Sequence, residues 1–183
     1  MKHMILALAL VAACGDNLPA PLAYTDPSGG KLRLVRDGKS SAKEIVLDLV
    51  VGKQPLAGYS VGFDLPLDDT RVTFGGFTPG TALDPGPAPV AAMGALPDAG
   101  PLAHMLVTAQ SHKATANDAD TTLAPGTVLY SVTLDLGAGA PKGIVFDGTA
   151  AGFVLPSGGM RDRSGTAVVE PADVAIGKLV VNR

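Results

Sequence analysis

The chain has 183 residues, a formal net charge of −3, 23 glycines, 15 prolines and a single cysteine. This length fits one domain with a hydrophobic core and is short for two, and its Lys and Arg residues are scattered, with no basic stripe or aromatic-interleaved platform for nucleic acid. Two glutamates stand against fifteen aspartates, so helix formers are scarce, turn formers are abundant and strands are favoured; the lone Cys14 leaves no disulfide within the chain.

Met1, Lys2 and His3 form a basic start, and Met4 to Ala13 form an apolar run of ten residues. As a helix, ten residues rise about 15 Å, half of the roughly 30 Å hydrocarbon core, so residues 1–13 read as a signal peptide rather than a permanent span. The run ends in Val11-Ala12-Ala13-Cys14, which resembles the lipobox of bacterial lipoproteins, where the cysteine thiol receives diacylglycerol before cleavage. The resemblance implies export, lipid attachment at Cys14 and a place in the cell envelope, at the outer membrane or cell surface before the inner membrane. The alternative is an ordinary secretory signal with an incidental cysteine. Residues 14–30 are rich in Pro, Gly and small polar residues and read as a flexible tether, with Tyr24 facing solvent.

From Lys31 onward the apolar residues recur with period two, the signature of strands. Leu32 and Leu34 mark a first strand that ends at Asp37-Gly38. Glu44 to Val51 sets Ile45, Leu47, Leu49 and Val51 on one face. Tyr59, Val61, Phe63, Leu65 and Leu67 then alternate with Ser60, Gly62, Asp64 and Pro66, and the apolar set must face inward. Val72, Phe74 and Phe77 form a shorter strand that stops at Thr78-Pro79-Gly80.

Residues 84–101 hold five prolines and three glycines, which excludes a regular helix or central strand and implies a long surface loop, with at most a brief edge strand, packed over one end of the fold. Ala103 to Ser111 is a further strand, followed by a polar loop. Val128, Tyr130, Val132, Leu134 and Leu136 mark another long half-buried strand. Gly143 to Phe146, Gly152 to Leu155, Ala167 to Val169 and Val174 to Val181 complete nine or ten short strands, the pattern of an all-β antiparallel sandwich over residues 31–183.

The stretch GYSVGFDLPLDDTRVTFGGFTPG, residues 58–80, resembles the third and fourth strands of cohesin domains, with its features at Asp68, Val72, Phe74 and Pro79-Gly80. Residues 121–155 are similar to a later cohesin segment of loop, long alternating strand, Ala/Pro turn and strand ending in aspartate. The resemblance implies a jelly-roll β-sandwich of about nine strands that binds a dockerin-like module through one sheet face. It sets Ser60, Gly62 and Asp64 on the outward side of the third strand, at the interaction face. Cellulosomal cohesins tend to carry Asn and Asp there; in this chain only Asp64 keeps a strong acceptor, which leaves other protein partners open beside a dockerin.

Chemistry-bearing motifs are few. Gly58-Tyr59-Ser60-Val61-Gly62 matches the G-x-S-x-G nucleophile elbow, but an elbow needs a helix after its serine, and the period-two pattern through Leu67 with Pro66 forbids one. His104 and His112 would stand about 26 Å apart on one continuous strand, too far to share a metal or a proton. Asn117, Asp118 and Asp120 have calcium-like spacing without the glycine and terminal glutamate of an EF-hand, and read as a solvated loop. Arg161, Asp162 and Arg163 read as an exposed charge cluster with some potential as a contact patch.

Sugar-binding sandwiches usually stack pyranose rings on exposed aromatics. Here there is no Trp, and Tyr59 and Tyr130 fall on the expected core faces. The sequence therefore predicts a non-enzymatic interaction module without cofactor or metal, tethered through lipid at Cys14 and facing an extracytoplasmic protein. A carbohydrate-binding module of the cell envelope or of a secreted polysaccharide system is the alternative.

Overall fold

The structure is a computed structural model that describes residues 20–83, 90–95, 104–111 and 119–182. Among these, every regular element is a strand apart from a 3-10 turn over Pro171–Asp173. One five-stranded sheet runs in the order β14 (Val174–Ala175), β2 (Leu32–Arg36), β3 (Glu44–Val51), β10 (Val128–Leu136), β6 (Val72–Pro79). The other runs β13 (Ala167–Val169), β12 (Gly158–Arg161), β5 (Ser60–Pro66), β8 (His104–Ser111), β7 (Val90–Ala95). A three-stranded sheet joins β1 (Leu22–Thr25), β15 (Lys178–Val181) and β11 (Gly143–Asp147), and β4 (Leu56–Gly58) pairs with β9 (Thr121–Leu123). All pairings are antiparallel except β14 on β2.

Successive long strands change sheet. β3, β6 and β10 lie in the first five-stranded sheet and β5, β8 and β12 in the second, so the chain crosses the core each time it passes from one to the next. Period-two patterning drives this arrangement: β5 buries Val61, Phe63 and Leu65 and turns Ser60, Gly62 and Asp64 outward, because a pleated strand sends alternate side chains to opposite faces. The inward rows of both sheets belong to one buried cluster. Tyr130 of β10 has Phe63 of β5 at 6.1 Å and Phe77 of β6 at 5.0 Å between ring centroids. The architecture is all-β and sandwich-like.

Several expectations need correction. Residues 22–25, expected within the tether, form β1, and Leu22 is buried against β15. Tyr24 does not face solvent: its hydroxyl donates to the Leu34 carbonyl at 2.8 Å and accepts the Gly177 amide at 2.8 Å, and its ring packs edge-on against Phe146. The hydroxyl satisfies two backbone groups there, which an exposed phenol could not do.

The expected strand at 152–155 is a turn followed by irregular chain, since Phe153 bonds back to Ala150 and finds no ladder partner. Val174 to Val181 is interrupted at Ile176 and Gly177 and divides into β14, paired with β2, and β15, paired with β1 and β11; a Cβ at Gly177 would collide with the Thr25 carbonyl. A bulge between Val128 and Tyr130 turns Val128 outward, in place of the expected core position. Tyr59 is half-buried and precedes β5 rather than joining its core face. Within 84–101, residues 90–95 form the brief edge strand expected there, β7 on β8.

Candidate interaction face

The outward side of the β12–β5–β8 sheet holds a shallow depression of about 360 Å³. Ser60, Gly62 and Asp64 of β5 line it together with Ala109 and Ser111 of β8 and Arg161 of β12. The three residues expected at the interaction face are therefore gathered in one concavity. Sequence reasoning singled out Arg161 only as part of an exposed charge cluster and missed that β12 and Ser157 before it border β5, because Gly-Gly-Met-Arg shows no alternation.

Glycine makes the floor. A Cβ at Gly62 would collide with the Thr108 carbonyl of the neighbouring strand, and one at Gly159 would collide with the Val169 carbonyl. Gly159 also sits at a φ of +103°, which side-chain-bearing residues rarely adopt. Closely packed backbone without side chains thus makes the floor between the rims, half-exposed at Gly62 and buried at Gly159.

The rims carry opposite charges. Ser157 Oγ donates to Asp64 Oδ2 at 2.6 Å, and the Asp64 amide donates to the Ser157 carbonyl at 3.1 Å, which fixes the carboxylate at one end. Arg161 is the register partner of Ser60, four residues and about 13 Å away along β5. Its guanidinium is exposed and donates to the Gly165 carbonyl at 3.0 Å. Arg161 thus joins the depression, while Asp162 and Arg163 belong to the tight turn that follows. Asp162 accepts the Thr166 amide at 2.8 Å and the Ser164 hydroxyl at 2.7 Å, and these bonds, led by Ser164, hold its carboxyl below the usual carboxylate range. The Arg163 amide in turn donates to Asp120 at 2.8 Å.

Beneath the floor, Thr108 ties β5 to the opposite sheet. Its Oγ1 accepts the Phe63 amide at 3.3 Å, donates to the Phe63 carbonyl at 3.2 Å and lies 2.7 Å from the Tyr130 hydroxyl. Burial pushes the Tyr130 phenol far above its ordinary pKa, although the Thr108 bond works against that rise, so it stays a neutral hydrogen-bonding group.

Ser60 opens a strand that continues to Pro66, so the strand-to-helix turn of a nucleophile elbow is absent at this serine. Among the described residues no three His, Cys, Asp or Glu side chains converge as metal ligands. Cys14, His112, Asn117 and Asp118 lie outside the described residues. Of the large apolar side chains that are exposed among the described residues, Val128, Ile144 and Val154, none is aromatic.

No family model matches the chain, and neither the curated proteins nor the solved structures include one that matches it.

Proposed function

We propose that this protein is a membrane-anchored lipoprotein of the bacterial cell envelope whose β-sandwich serves as a non-catalytic protein-interaction module. In this reading Cys14 carries the lipid, and the partner docks on Ser60, Gly62 and Asp64. One observation carries it: these three residues, which the cohesin resemblance assigns to an interaction face, line a single glycine-floored depression with charged rims. The jelly-roll and cohesin-like reading is supported by the alternation of β3, β5, β6, β8, β10 and β12 between two sheets. The partner is an extracytoplasmic protein, dockerin-like or other, and the depression's bare backbone and opposed charges suit a complementary protein surface.

The test is site-specific photo-crosslinking in the producing cell, with the full chain carrying the crosslinker at Ser60 or, on the outer face of the other sheet, at Thr133. A single saturable protein adduct at Ser60, absent at Thr133 and lost in Asp64→Arg, is the expected result. Equal adducts at both positions would overturn the reading. So would retardation in polysaccharide gels without any protein adduct, which favours a carbohydrate module.

A further inference from the structure

The chain enters the fold at a fixed point. The Asn182 amide donates to the Pro21 carbonyl at 2.9 Å, and Asn182 Nδ2 donates to the Ala20 carbonyl at 3.0 Å. Ala20 is thereby held at the end of the three-stranded sheet where β15 finishes. Cys14 is six residues upstream, a reach of at most about 22 Å for extended chain.

Beside this point the outer face of the same sheet carries an apolar row. Ala23 and Ile144 are both register partners of Val180, and directly opposed residues share one side of a sheet. That side is opposite the buried Leu22, Leu179 and Val181. Ile144 is 49% exposed. Two strand spacings and three residue rises place it about 14 Å from Ala20, within the reach of Cys14. The next row contains Lys178 and Asp147, joined by an ion pair of 2.8 Å, so a self-neutralised pair borders the apolar row. Exposed Lys142 precedes β11, and its aliphatic stem suits a headgroup boundary.

We infer that the row Ala23, Val180 and Ile144 is a bilayer-contact surface, seated on the membrane that holds the acyl chains of Cys14. The inference rests on the reading of Cys14 as the lipid attachment. An apolar side chain placed at the boundary between headgroups and acyl chains leaves water and adds to the hold of the lipid. The short linker keeps the row close to that boundary. The groove of Pro27, Phe153 and Ile176, where Val154 is 68% exposed, lies at the opposite end of the sheet, beyond the Lys178 row.

The chain has no tryptophan, so one introduced indole reports one position. Full-length acylated protein carrying Ile144→Trp, Ala23→Trp or Val154→Trp is bound to phosphatidylcholine vesicles with and without brominated acyl chains. The expected result is a blue shift and loss of emission on brominated vesicles for Ile144→Trp and Ala23→Trp, with Val154→Trp unchanged. Vesicle-bound, acylated protein in which both row positions stay unquenched, or in which Val154→Trp is quenched equally, overturns the inference alone. A wild-type chain that gains no acyl mass and does not sediment with vesicles overturns the lipid-attachment reading, and this inference with it.

Discussion

Thr108 Oγ1 and the Tyr130 hydroxyl meet 2.7 Å apart in the core, each from a different sheet. Thr108 also serves both backbone groups of Phe63, so one hydroxyl joins the floor of the depression to the far side of the fold. Tyr130→Phe leaves Thr108 with its Phe63 partners and should cost about 0.5–1.5 kcal/mol, the net worth of one hydrogen bond. Thr108→Val strands a fully buried phenol and should cost about 1–3 kcal/mol. In a double-mutant cycle by urea denaturation the two effects should be clearly non-additive; additive losses would show that the pair is not coupled.

The bare floor makes a second prediction. Gly62→Ala drives a methyl into the Thr108 carbonyl, and overpacking of that kind costs about 1–3 kcal/mol. Gly76 on the edge strand β6 has nothing within 4 Å of an added Cβ. Gly76→Ala should therefore be neutral or stabilise by about 0.4–1 kcal/mol through the unfolded chain. Urea midpoints decide between them, and equal midpoints for the two variants would refute the steric account of the depression.

How much of this was legible depends on how local the signal is. β3 and β5 are readable to within a residue or two because burial alternates from Glu44 to Leu49 in the first and along all seven residues of the second, and the same alternation puts Ser60, Gly62 and Asp64 outward. β1 was not readable. Its neighbourhood of Pro19, Pro21, Pro27, Gly29 and Gly30 has linker composition, and its order comes from pairing with β15, more than 150 residues away in sequence, which buries Leu22 and brings the Tyr24 hydroxyl to the Gly177 amide. The converse holds at 152–155, where Phe153, Val154 and Leu155 look strand-like but have no neighbouring strand to complete a ladder. Arg161 and Ser157 reach the depression because β12 pairs with β5, which is a fact of topology rather than of pattern.

Asp48 makes stability depend on pH in a direction opposite to most carboxylates. It is half-buried, and desolvation outweighs the Ser131 hydrogen bond of 2.6 Å to raise its pKa, with Asp37 adding to the rise and Lys39 opposing it. The folded state then holds this proton more tightly than the unfolded chain. Stability falls as pH rises from the ordinary aspartate pKa, about 3.9, through the raised folded value, and the deficit persists above it. Asp48→Asn should raise the melting temperature at pH 7 and leave it nearly unchanged at pH 3. A variant less stable than wild type at pH 7 would show that the Ser131 bond to the ionised carboxylate dominates instead.

The N-terminal strand supplies the last prediction, because it moves the boundary of the folded unit. Leu22 is 1% exposed and Tyr24 bridges the Leu34 carbonyl and the Gly177 amide, so β1 is an integral strand of the three-stranded sheet and not a spacer. Tyr24→Phe leaves both backbone groups without that partner and should cost about 1–3 kcal/mol. A chain starting at residue 31 loses the Leu22 side chain as well, whose burial alone is worth about 1.5–3 kcal/mol, and exposes the outer edge of β15. It should melt well below a chain starting at residue 20, and amide exchange should quicken first along Lys178–Val181. If both truncations melt together and those amides stay protected, β1 is dispensable and the tether extends to residue 30 after all.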